Sequence, residues 1–196
     1  GFQVDAGPQV TLEQDLQRRD LTINALALDD KGELIDLFGG REDLDAGVLR
    51  HITPAFVEDP VRLLRIARFA ARFVRWGFRV AHGTHKLLRQ LAADEDLGAL
   101  RPERLWKEMA SALGEEQPWR FFEVLHRCGA LARLIPELAR RLGEPGAHRP
   151  IVFPEPLAAM RRAAEAGAGP ASRFAVLFQW AAEAAELEGF CRRLRG

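Results

Sequence analysis

Apolar residues recur every three or four positions through the middle of the chain. Leu63, Leu64, Ile66, Ala67, Phe69, Ala70, Phe73 and Val74 carry this period most clearly, and it predicts an amphipathic helix over residues 58–76. The same pattern predicts further helices over 82–93, 102–114, 118–127 and 129–141, joined by short Gly or Pro junctions. Upstream the pattern is less regular. Residues 1–10, with Gly1, Gly7 and Pro8, read as loop or short extended chain, and Thr11 before Leu12, Glu13, Gln14 and Asp15 reads as an N-capped helix start. A short helix is expected over 22–28. Asp29-Asp30-Lys31-Gly32 then turns into a short strand over 33–38, a hairpin signal. Gly39-Gly40 breaks that run, and a short helix over 41–46 ends at Gly47. Downstream, four prolines between Gly143 and Pro156 mark a linker, followed by Ala-rich helices over 157–167, 170–186 and 187–195. The chain is therefore expected to be mainly α, with a small α/β portion at its start.

Composition narrows the class. With 196 residues, 47% hydrophobic and 29% charged, the chain can build a core and is neither a disordered tail nor a fibre. No run approaches the eighteen apolar residues of a membrane span, and GFQVDAGPQV has no signal-peptide character. Cys128 and Cys191 lie far apart without metal-ligand spacing, which fits a reducing cytoplasm.

Net charge is zero, with 28 basic and 28 acidic residues, which argues against a general polyanion binder. The zero conceals polarity. Residues 1–57 hold five basic and eleven acidic residues, net −6; residues 58–79 hold six arginines and two acids, net +4; the remainder is net +2. No Asp or Glu occurs from Pro60 to Ala93, while Arg62, Arg65, Arg68, Arg72, Arg75 and Arg79 recur at helical spacing. A solvated helix face normally mixes signs. This stripe has no acidic partner within itself, so an anion from elsewhere is expected, with phosphate the obvious candidate.

Two short constellations could carry chemistry. Arg18-Arg19-Asp20-Leu21-Thr22-Ile23-Asn24 combines cations, a carboxylate and a carboxamide; Asp20 and Asn24 could share a helical face, and both also suit helix ends. Glu58-Asp59-Pro60-Val61-Arg62 opens the long helix, where Pro60 fits the first turn and the acids suit the positive end of the dipole. Capping alone could account for them. Side-chain chemistry offers more: a carboxylate accepts from an exocyclic amine and a guanidinium donates to a ring nitrogen. Cytosine and adenine present that amino donor beside a ring acceptor, whereas uracil and guanine present an oxygen acceptor beside a ring N–H. One Asp/Arg pair could accept C and A and reject U and G, by about 1–3 kcal/mol per bidentate contact.

RRDLTINALA (18–27), DDKGELIDLFGGREDLDAGVLRHI (29–52), EDPVRLLRIARFAARF (58–73) and PERLWKEM (102–109) occur in order. Together they resemble the bacterial class II tRNA nucleotidyltransferases, the CCA-adding enzymes, over residues 1–142. The resemblance implies addition of C, C and A to the tRNA 3′ end from CTP and ATP, with Mg²⁺. It implies nucleotide sugar and phosphate contacts for Arg19, supported by Asp20 and Asn24; base recognition by Glu58, Asp59 and Arg62; nucleotide holding by Arg65 and Arg68; and RNA contacts for Arg72, Arg75 and Arg79. Residues 29–45 resemble the hinge between head and neck, and Glu103, Arg104 and Glu108 a structural brace. It further implies three parts: 1–57 as the end of a nucleotidyltransferase head with its hinge, 58–142 as a helical neck, and 143–196 as linker and helical body. Bacterial poly(A) polymerases share several of these segments. A noncatalytic helical RNA-binding module is the alternative from another class.

The resemblance has two departures. The family's metal-binding carboxylates, spaced DxD on a strand after a Gly-rich stretch, have no counterpart in matching context, so no catalytic or metal residue is assigned and the chain alone is expected to transfer nothing. Gln179 and Trp180 stand where some relatives carry the His-Asp pair of a phosphohydrolase domain, so that activity is not expected either. Trp106, Trp119, Phe121 and Phe122 are expected in the core, Cys128 as a buried apolar residue, and His82 and His85 as helix-start residues.

Overall fold

The computed structural model describes residues 10–54, 56, 59–143, 155–179 and 184–195. Helix α1, Leu12–Gln17, starts at a capping box in which Thr11 Oγ accepts from Gln14 N–H and Gln14 Oε1 accepts from Thr11 N–H. The expected helix over 22–28 is instead a single 3-10 turn, Thr22–Asn24, followed by strand β1, Leu26–Leu28. β1 pairs antiparallel with β2, Leu34–Asp36, with Leu26 opposite Asp36. Local helical preference yields because ladder hydrogen bonds claim these residues.

Helix α2, Gly40–Asp45, packs its first residue against Thr22, where a Cβ would collide with the Thr22 carbonyl, so glycine is required there. Strand β3, Val48–Leu49, pairs parallel with β4, Arg79–Val80. Helix α3, Val61–Phe73, lies between them in sequence and forms the crossover. α3 tightens into a 3-10 turn over Val74–Trp76 and ends at Gly77, whose φ of +82° admits no side chain without strain.

α4, His82–Ala93, has the expected bounds. α5, Pro102–Leu113, and α6, Trp119–Cys128, follow. The expected helix over 129–141 divides into α7, Ala130–Leu134, and α8, Pro136–Leu142, because Pro136 has no N–H to continue the ladder. α9, Glu155–Glu165, α10, Pro170–Leu177, and α11, Ala184–Arg195, complete the described helices. Most of the expected linker, 144–154, lies outside the described residues.

α3 is the central element. Leu63, Leu64, Ile66 and Ala67 are fully buried, and the helix packs between α5 and α6. Each of the Leu and Ile side chains contributes about 1.5–3 kcal/mol on burial, so α3 is held by its apolar face and can carry charged groups along the other. α10 and α11 pack on α5, and α9 on α6. Phe178 and Phe190 thereby join the core that contains Leu63 and Phe121. Trp106 departs from expectation: it is 41% exposed and meets Phe174 edge to face at the surface.

Candidate functional site

The first turn of α3 gathers the charged side chains. Asp59 precedes it and is buried, and its Oδ1 accepts from Val61 N–H at 3.0 Å, so the capping role is real. The same carboxylate receives the Arg104 fork from α5, with Nη1 3.3 Å from Oδ1 and Nη2 3.1 Å from Oδ2. Arg62, one turn along, is also buried. Its Nη2 donates to the Arg18 carbonyl at 3.2 Å, its Nε lies 3.8 Å from Asp20, and its guanidinium sits 5.9 Å from the Phe56 ring centre. Arg65 Nε donates to Asp20 Oδ2, and Arg68 Nε donates to Glu108 Oε2 at 2.7 Å. Glu58 lies outside the described residues.

The arginine stripe was expected to await an anion, and much of it already has one. Asp20 serves Arg62 and Arg65, Glu108 serves Arg68, and Glu116 meets Arg75 at 2.5 Å. These carboxylates stand 40 to 45 residues away in sequence, so a local search for acids could not find them. Arg72 and Arg79 are exposed; Arg72 lies over the Phe73 ring, and Arg79 approaches the Ala46 carbonyl at 3.5 Å. A cavity of about 550 Å³ lined by Glu116, Trp119, Arg161 and Glu165 lies between the start of α6 and α9 and mixes both signs of charge.

The RRD segment splits its side chains between two directions. Arg19 is exposed, donating to the Asn24 carbonyl at 2.9 Å and pairing with Asp15 at 3.1 Å. Asp20 turns inward to α3. Asp20 and Asn24 therefore do not share a helical face: the helix ends at Gln17, and Asn24 belongs to the 3-10 turn.

Two further anchors were not legible in the sequence. Buried Asp43 accepts from Thr22 Oγ1 at 2.6 Å and from Arg50 Nε at 2.9 Å, binding the 3-10 turn, α2 and the end of β3; the pair holds the Arg50 pKa above its ordinary value. His51 Nδ1 lies 2.8 Å from Thr84 Oγ1, which also accepts His51 N–H at 3.1 Å, tying the approach to α3 onto α4. Burial, aided by Arg50, holds the His51 pKa below its ordinary value.

This donor set does not fit a divalent metal. Asp20, Asp59 and Glu108 each already pair with arginine, and among the described residues no three His, Cys, Asp or Glu side chains are arranged to hold an ion. The arrangement can instead present one carboxylate and one guanidinium side by side to a planar, hydrogen-bonding ligand.

Comparisons with known proteins define the family. Residues 3–50 match the family described as "Poly A polymerase head domain", and residues 77–142 match "Probable RNA and SrmB- binding site of polymerase A". The chain belongs to this nucleotidyltransferase family of CCA-adding enzymes and poly(A) polymerases. A "Multifunctional CCA protein" of Thioalkalivibrio sulfidiphilus is 55% identical over 90% of the chain and 44% of its own length. One from Pseudomonas aeruginosa is 58% identical over 76% of the chain and 37% of its own length. The chain thus spans less than half of these curated relatives. Among solved structures, a CCA-adding enzyme with CTP superposes with a TM-score of 0.71 at 28% identity, over 94% of the chain and 44% of that structure. The Thermotoga maritima CCA-adding enzyme complexed with tRNA gives 0.69 at 27% identity, over 94% of the chain and 45% of that structure. Chemistry of this class is assisted by divalent metal. No described helix is long and apolar enough to cross a membrane.

Proposed function

We propose that the chain is the base-selecting and RNA-binding part of a CCA tRNA nucleotidyltransferase, a cytoplasmic enzyme that adds C, C and A to the tRNA 3′ end from CTP and ATP and releases pyrophosphate. The observation that carries this reading is the placement of Asp59 and Arg62 three residues apart at the first turn of α3, both nearly buried and each held by charged or carbonyl partners. In that position Asp59 accepts from the exocyclic amine of cytosine or adenine, and Arg62 donates to the adjoining ring nitrogen. Uracil and guanine meet acceptor with acceptor and donor with donor.

Arg19 and Asn24 contact sugar and phosphates, with Asp20 holding the RRD segment to α3. Glu58 belongs to the same base-recognition motif. Arg65, whose side chain is 40% exposed, and Arg68 complete the nucleotide pocket, and Arg72, Arg75 and Arg79 face the RNA. The metal is Mg²⁺, held by carboxylates that this chain does not supply. Identities of 55% and 58% with proteins named for CCA support this reading over poly(A) addition.

The test is elongation of tRNA lacking its CCA end, with CTP, ATP and Mg²⁺. The chain alone transfers nothing. Joined to the preceding part of the Thioalkalivibrio relative, it adds C, C and A, and the double variant Asp59→Ala, Arg62→Ala incorporates U and G nearly as well as C and A. Retained C and A selectivity in that double variant would remove the role given to the pair.

A further inference from the structure

The two oxygens of Asp59 are not equivalent. Oδ1 accepts from Val61 N–H at 3.0 Å and from Arg104 Nη1 at 3.3 Å, which uses both of its lone-pair directions. Oδ2 accepts from Arg104 Nη2 at 3.1 Å and, among the described residues, from no other donor. One acceptor direction is left, on one oxygen. The backbone cap alone would let the carboxylate turn about its Cβ–Cγ bond and exchange the oxygens. A planar two-pronged fork fixes the plane and the identity of the oxygen that stays available.

Arg104 is itself held in register. α5 also carries Glu108, one turn further, which binds Arg68 of α3 at 2.7 Å, so the two helices are joined by two charge pairs of opposite polarity. The Arg104 side chain is 46% exposed and that of Asp59 is 9% exposed. The fork therefore reaches solvent, while the carboxylate that it holds is buried.

We infer that Arg104 is a positioning residue for base selection: it presents a single Asp59 Oδ2 acceptor to the exocyclic amine of cytosine or adenine. This rests on the base-selecting role proposed above. Arg104 touches no part of the nucleotide in this role and acts through Asp59. Sharing suits the energetics better than exchange, because the buried carboxylate keeps its charged partner while its remaining lone pair takes up the neutral amine.

The test uses residues 1–196 titrated with CTP, UTP, ATP and GTP, comparing the natural chain with Arg104→Lys and Arg104→Gln. The triphosphate is common to all four ligands and serves as the internal control. Lysine keeps the charge and loses the fork, on a side chain exposed enough that the fold survives. Both variants are expected to lower the CTP:UTP and ATP:GTP affinity ratios at least fivefold, with UTP and GTP binding changed less than twofold; Arg104→Lys, which keeps a cation beside the buried carboxylate, holds the melting temperature, whereas Arg104→Gln lowers it. A folded variant that keeps the natural ratios, or a parallel loss for all four nucleotides, overturns the inference and leaves the role of Asp59 and Arg62 standing. A natural chain without any preference, or without nucleotide binding, removes the base-selecting role itself and this inference with it.

Discussion

His51 shows how one side chain can secure the approach to the site. Thr84 Oγ1 accepts His51 N–H and lies 2.8 Å from the ring Nδ1, so the imidazole is held in place. Burial, with Arg50 beside it, places the folded-state pKa below the ordinary 6.5. A depressed folded pKa gives stability that is complete above the unfolded value and is lost as pH falls through the folded one. The melting temperature should therefore drop as pH is lowered from 7 through 6.5 and below, and His51→Gln should flatten part of that drop. His85, also lowered by burial, keeps the remainder. Parallel curves for the two proteins would show that His51 is not a source. At this scale the sequence reading was uneven. Cys128 was legible as a buried apolar residue, and burial indeed pushes its thiol up to about 11. Trp106 was not, because helical periodicity cannot tell a core face from a half-covered groove.

Helices α3 and α5 are joined by pairs whose burial decides their worth. Arg68 and Glu108 have side chains only 14% and 10% exposed. Removing one partner leaves the other charge buried and unpaired, which costs about 3–5 kcal/mol. Glu108→Ala should lose about that much in denaturant unfolding. The α9 pair Arg161–Glu165, 50% and 55% exposed, sets the contrast: Glu165→Ala should change stability by about 0–1 kcal/mol. Equal losses at both positions would mean that the α3–α5 pair is not functioning as a buried one. Most helices were legible because their period spans many residues and their ends carry Thr, Pro or Gly signals; α4 matches its expected bounds. The β3–β4 pairing was not, since two-residue strands separated by α3 leave no alternation to detect.

Across the whole molecule, the polarised charge resolves into connections between distant segments. The acidic first part supplies Asp20 to Arg62 and Arg65, and α5 and the residues after it supply Glu108 and Glu116 to Arg68 and Arg75. The motifs were legible in order and kind, and their resemblance to one family is matched by the comparisons. Their mutual contacts were not, because sequence spacing carries no information on which segment folds against which. At the start of α3 the folded chain presents a braced carboxylate and, three residues on, a braced guanidinium, the pair proposed to choose the base. Equilibrium binding of the four nucleoside triphosphates to the natural chain and to Asp59→Ala, Arg62→Ala tests that role most directly. The natural chain is expected to bind CTP and ATP about tenfold or more tightly than UTP and GTP, and the double variant to bind all four alike. Equal binding of all four by the natural chain, or an unchanged preference in the double variant, would contradict it.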